Sequence, residues 1–168
     1  GTLFSSGYSF NVPTQEAVDA FEAGDLRKEV AILDIAAWAA QTGATYGEGY
    51  QHTGYFNRKY IPRTRSSESQ GDLNLTNPNN YRAIRYADVL LMAAEALNRG
   101  GISDTRALSY LNQVRRRAFG NTNHDINATG STLTAFIWQE RRIELLGEGH
   151  RFFDLVRTGR ASIEIDGF

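Results

Sequence analysis

The chain has 168 residues, of which 41% are hydrophobic and 22% charged, with a formal net charge of −1; this length suits one domain with a sizeable core. So small a net charge gives no electrostatic case for a nucleic acid or an anionic membrane as partner, and no run of 18 apolar residues is present to span a bilayer. Cysteine is absent, which removes disulfides, a thiol nucleophile, a cysteine-based metal site and the usual attachment point of a bacterial lipid anchor from these residues.

Residues 1–12 mix Gly, Ser and aromatics, including Tyr8 and Phe10, and read as loop or short strand. Pro13 opens a helical stretch with Ala17, Val18, Ala20 and Phe21 as its apolar set, ended by Gly24. Glu29 to Ile35 alternates partly, carries β-branched residues and reads as a strand. Residues 36–43, with Trp38, extend a helix or are irregular. Gly43 to Tyr50, with Tyr46, is loop by composition. Thr53 to Ile61 reads as a second strand, stopped by Pro62. Residues 63–80 are polar and rich in Ser, Asn and Asp, the pattern of a long surface loop.

From Tyr81 the pattern turns helical. Ile84, Ala87, Leu91 and Ala94 recur at helical spacing, and Val89, Leu90 and Leu97 widen the apolar face. Gly100 and Gly101 end this helix. Asp104 is expected to cap the next, whose stripe is Leu108, Leu111, Val114 and Ala118. Two helices joined by a tight glycine turn make an αα-hairpin, and Ala87, Ala93, Ala94 and Ala107 allow close approach. A polar loop from Gly120 to Gly130 contains the sequon Asn127-Ala128-Thr129. Ser131 and Thr132 then sit where an N-cap belongs. Leu133, Phe136, Ile137, Glu140, Ile143 and Glu144 share one side of a helix, and Gly147 and Gly149 interrupt it before a short helix from His150 to about Arg157.

That last third is dense in charge for so apolar a segment. Glu140 and Glu144 lie four apart, Arg141 and Glu144 three apart, and Arg151 and Asp154 three apart, so the partners fall on adjacent turns. A solvated face, a buried ion-pair network and a catalytic carboxylate pair all fit this spacing. The network is the favoured reading, with Arg85, Asp88, Glu95, Glu140, Arg141, Glu144, Arg151 and Asp154 as members. An arginine within three or four positions of each carboxylate depresses its pKa and spoils a general acid. His52, His124 and His150 form no metal-binding spacing, and no nucleophile elbow, P-loop or dinucleotide fingerprint occurs. Arg115-Arg116-Arg117 diverges around a helix and reads as partly salt-bridging. Aromatics make up 11% of the chain. Tyr46, Tyr50, Trp38 and Tyr8 lie outside the helical stripes and are the candidate ligand-binding rings, because an exposed ring can pack on the C–H face of a sugar. The alternative is that such rings fill a core beneath irregular loops.

Four motifs in order carry a resemblance. They are Asn11-Val12-Pro13-Thr14 with Asp19-Ala20-Phe21-Glu22 and Gly24-Asp25-Leu26-Arg27; the run from Arg85 to Asn98; Leu111 to Ala118; and Glu140 to Leu145 followed by Gly147 to Arg157. Together they resemble the C-terminal portion of SusD/RagB-type proteins, over nearly the whole chain. The chain opens on Gly1-Thr2-Leu3-Phe4 without a leader pattern, and family members run to about three times this length, so a piece of a longer protein is the expectation.

The resemblance implies a mainly α fold of tetratricopeptide-like helical hairpins, part of a SusD-like α-α superhelix, with a few short strands and long loops. Residues 1–80 form a loop-rich segment with one helix and short strands, and residues 81–168 a helical-repeat segment. It further implies a non-catalytic, surface-exposed lipoprotein of the bacterial outer membrane, with no cofactor and no metal. Such a protein captures glycans or related nutrients and passes them to a SusC-like TonB-dependent transporter. In the family the glycan platform is built mainly from loops N-terminal to the region matched here. Two other classes stay open: a tetratricopeptide-like protein-interaction module without a small-molecule site, and a glycoside hydrolase using Glu140 or Glu144.

Overall fold

The computed structural model describes residues 11–49, 51–61, 67, 69, 71–72, 76 and 79–165. The chain divides into two compact units, one of residues 1–21 with 28–82 and one of residues 22–27 with 83–168.

In the first unit, Thr14 caps helix α1 (Gln15–Asp19) by accepting from the Ala17 amide at 3.2 Å. Pro13 therefore stands just outside the helix, and α1 is one turn rather than the longer helix expected. The segment read as one strand from Glu29 to Ile35 splits into helix α2 (Arg27–Ala31) and strand β1 (Ile32–Asp34). Asp34 ends the strand because its carboxylate accepts from the Ala37 amide at 2.9 Å and so caps helix α3 (Ile35–Thr42). Gly43 closes α3 at φ 68°, a left-handed position that favours glycine. Strand β2 (Tyr55–Asn57) pairs antiparallel with β1, with Leu33 opposite Phe56. The strand expected over 53–61 is this short because its partner offers only three residues. Among its described residues the segment thus holds three helices where the sequence suggests one. Of the loop expected over 63–80, only scattered positions are among the described residues.

The second unit is built on α4 (Tyr86–Arg99), α5 (Asp104–Phe119) and α6 (Gly130–Glu144), followed by α7 (Arg151–Arg157) and α8 (Ala161–Ile165). Leu90, Leu91 and Ala94 of α4, Ala107, Leu111 and Val114 of α5, and Leu133 and Ile137 of α6 form one core cluster. Ala94 and Ala107 are fully buried, as expected where small side chains let two helices approach. Ile84 falls before α4 and is exposed, as is Phe136 on α6.

Side chains lock the connections between these helices. Ser103, not Asp104, caps α5, accepting from the Arg106 amide. Asp104 is freed to hold two other groups: Asn98 donates to it at 2.6 Å and the Gly130 amide at 2.7 Å. The second contact replaces the cap expected from Ser131 or Thr132, since the start of α6 is satisfied from another helix. Asn112 donates to the Ile126 carbonyl at 3.0 Å and accepts from the Ile126 amide at 2.8 Å, pinning the loop beside α5.

Candidate functional site

Glu140 and Glu144 share the buried side of α6, one turn apart, with 1% and 2% of their side chains exposed. Two buried carboxylates so placed must be neutralised. Arg27 does this from the short segment 22–27: one terminal nitrogen donates to Glu140 at 2.6 Å and to Glu144 at 2.9 Å. Its other nitrogens grip Asp25. Arg115 donates to the second oxygen of Glu140 at 2.8 Å and holds both oxygens of Glu22. Arg85, just ahead of α4, reaches Glu144 at 2.8 Å and clasps Glu148 with two nitrogens. Arg117 adds a fourth guanidinium, 2.7 Å from Glu144.

Burial pushes the Glu144 carboxyl up, but the bonds from Arg117 and Arg85 and the charge of Arg117 outweigh it and hold the group at about 2. Arg27 moves the other way: burial lowers it, yet the bond to Asp25 and the charge of Glu140 raise it above the usual arginine range. A carboxylate so held stays ionised at neutral pH and has no proton to give.

A second set of ion pairs joins α4, α6 and α7. Arg141 donates to Asp88 at 2.7 Å and to Asp154 at 3.1 Å. Arg157 clasps both oxygens of Glu95, which also accepts from Trp138 and Arg99. Burial raises the Glu95 carboxyl, and the Arg157 and Trp138 bonds bring it down to about 2.

The structure therefore brings Arg85, Asp88, Glu95, Glu140, Arg141, Glu144 and Asp154 into two buried networks, with different pairings from those the spacing suggests. Arg141 pairs with Asp88 and Asp154 rather than with Glu144. Arg151 pairs with Glu164 at 2.8 Å rather than with Asp154, because Asp154 is turned toward Arg141 and Arg157. Asp25, Arg27, Glu22, Glu148 and Arg157 escape a reading based on helical spacing. Two of them, Glu22 and Arg27, lie more than 90 residues from their partners on α5 and α6, and only the match to a family motif marks Arg27.

The candidate ligand-binding rings lie in the first unit. Tyr46 is 41% exposed, and its ring centre is 5.8 Å from that of His52, which is in turn 5.8 Å from Phe56. Trp38 is half-buried on α3. Tyr8 and Tyr50 lie outside the described residues. Among the described residues no group of three or more His, Asp or Glu side chains is placed to hold a metal ion, and no helix is long and apolar enough to cross a membrane.

The model of the SusD family matches residues 34–165. SusD-like protein P2 of Formosa agariphila is 32% identical over 92% of this chain, which covers 32% of that protein. Among solved structures, surface glycan-binding protein A from Bacteroides thetaiotaomicron superposes with a TM-score of 0.80 at 31% identity, over 96% of this chain and 34% of that one. A structure of surface glycan-binding protein A in complex with laminarihexaose gives a TM-score of 0.78 at 32% identity. The chain spans about a third of the length of these relatives. With a family model matching most of its length and relatives alike in sequence and in fold, the chain belongs to the SusD family.

Proposed function

We propose that this chain is part of a protein that binds glycans or related nutrients at the bacterial cell surface and hands them on chemically unchanged. The observation that carries this reading is the likeness to surface glycan-binding protein A, one structure of which holds laminarihexaose. The recipient is a SusC-like TonB-dependent transporter, and the protein is held at the outer membrane by a lipid anchor outside these residues. The acidic pair on α6 supports a binding role over a hydrolytic one. A glycosidase needs one carboxyl kept protonated by a raised pKa, whereas arginines clamp Glu140 and Glu144 and hold Glu144 at about 2. The second unit is scaffold in this reading, and the exposed Tyr46 is the described ring that stacks on sugar.

A glycan array, with laminarihexaose among its probes, tests the full-length protein beside this chain. Binding without change to the sugar is expected. Tyr46→Ala lowers affinity about tenfold, the worth of one aromatic contact, with an unchanged circular dichroism spectrum. Full affinity in that variant removes Tyr46 from the site. Hydrolysis that is lost in Glu140→Gln or Glu144→Gln would turn the reading to an enzyme. Silence toward every glycan, with capture of a peptide, would turn it to a helical interaction module.

A further inference from the structure

The loop that carries Tyr46 runs between α3 and β2 and is tied at both ends. The Gly43 amide donates to the Ala39 carbonyl at 2.8 Å, the Ile35 amide to the Gly54 carbonyl at 3.1 Å, and the Thr53 hydroxyl to the Pro13 carbonyl at 2.7 Å. Between these ties the loop breaks two rules that a plain connection obeys. Gln51 stands at φ 54°, the one non-glycine residue with positive φ among those described. Four of the residues 43–54 are glycines, yet a glutamine fills the left-handed position that glycine takes without strain. His52 follows, and its Nδ1 is buried with no hydrogen-bond partner among the described residues, a cost that folded chains rarely bear. The turn, closed by the His52 amide on the Gly49 carbonyl at 3.2 Å, sets the His52 ring between Tyr46 and Phe56, 5.8 Å from each. Tyr46 is thereby backed on one side and still 41% exposed, and the Gln51 side chain is exposed beside this stack in sequence.

We propose that Tyr46, Gln51 and His52 form one subsite for a neutral hexose unit of an oligosaccharide. The inference rests on the glycan-binding reading above and names its ligand class and two further residues. The Tyr46 ring packs on the apolar C–H face of the sugar. The Gln51 amide, one acceptor and two donors, bonds adjacent hydroxyls, which both give and accept hydrogen bonds. His52 does not touch the sugar. It is a positioning residue: wedged against Phe56, it fixes the Tyr46 ring before the ligand arrives, so less side-chain freedom is lost on binding. The strain at Gln51 is the price of turning His52 under Tyr46 while its own amide stays outside. Residues 43–54 carry a single charged side chain, Glu48, and no lysine or arginine. A uronic acid or a sulfate ester would meet repulsion and no counter-charge from this loop, which selects a neutral sugar.

Titration calorimetry on the full-length protein tests it, with laminarihexaose, cellohexaose and maltohexaose as neutral probes and an oligogalacturonate as the anionic one. Binding to a neutral probe is expected. Gln51→Gly should weaken it about fivefold, the worth of one net hydrogen bond, while raising the unfolding temperature because glycine takes this φ freely; a residue that only holds the loop together would lower both. His52→Ala should weaken binding about tenfold, as Tyr46→Ala does, and the double variant should bind no worse than either, since the two rings act as one. His52→Phe keeps a ring in the stack and should restore wild-type affinity. Unchanged affinity in Gln51→Gly and His52→Ala, beside a wild type that binds, overturns this subsite and leaves glycan binding standing. Losses that add in the double variant remove His52 from its positioning role. Binding to the oligogalacturonate alone overturns the ligand class, and silence toward all four probes overturns the subsite together with the reading on which it rests.

Discussion

Arg27→Met removes the guanidinium shared by Asp25, Glu140 and Glu144 while keeping an unbranched side chain in the same space. All three carboxylates are buried, with 1%, 1% and 2% of their side chains exposed. Glu140 keeps Arg115, and Glu144 keeps Arg85 and Arg117. Asp25 keeps the Arg27 backbone amide at 2.9 Å. Removing one member of a buried ion set costs about 3–5 kcal/mol, and the retained partners place this case near the lower end. For a chain of this size that lowers Tm by about 6–12 °C. Urea unfolding followed by far-ultraviolet circular dichroism at pH 7 measures it, and the denaturant slope should not change. Arg27→Lys should lose about half as much, because a point charge cannot serve three carboxylates as a planar fork does. A loss below about 1 kcal/mol with an unchanged slope would show that the carboxylates are solvated and that the network does not hold this unit together.

Acid should weaken the fold in a defined window. Glu144 lies below its ordinary 4.5, at about 2 when folded. Its stabilisation is therefore complete above about pH 4.5 and lost as pH falls toward 2, amounting to about 3 kcal/mol; a flat urea midpoint across that range would contradict the assignment. Glu95 is lowered likewise and adds to the same trend. Leu111→Ala opens a cavity at a fully buried position shared by three helices and should cost about 3–4 kcal/mol in the same unfolding assay. Ser103→Ala removes the cap of α5 and should cost about 1 kcal/mol. An unchanged midpoint there would return the capping role to Asp104.

The helices of the second unit are legible from residue spacing because each buries a stripe, and a buried stripe repeats with the helical turn. Leu91, Ala94, Leu111, Val114, Leu133 and Ile137 are read correctly for that reason. Phe136 and Ile84 break the pattern. Phe136 sits at the edge of the stripe on α6, and Arg85 stands in extended conformation as the N-cap of α4, leaving Ile84 outside the helix. The first unit is less legible. Its helices and strands run three to eight residues, too few turns for a period to emerge. There the boundaries depend on single contacts, such as Asp34 on the Ala37 amide.

Charge divides along the same line. Composition and spacing mark Glu140 and Glu144 as one-sided and rich in nearby arginines, since both facts are local to one helix. Their actual partners are Arg27, Arg115, Arg85 and Arg117, brought in from as far as 117 residues away. Sequence spacing along one helix carries no information about such distant neighbours, because a guanidinium chooses whichever carboxylate the packing leaves buried and unpaired. The local pattern of the chain thus specifies helices and a demand for counter-charge, and the folded packing alone selects the residues that meet it.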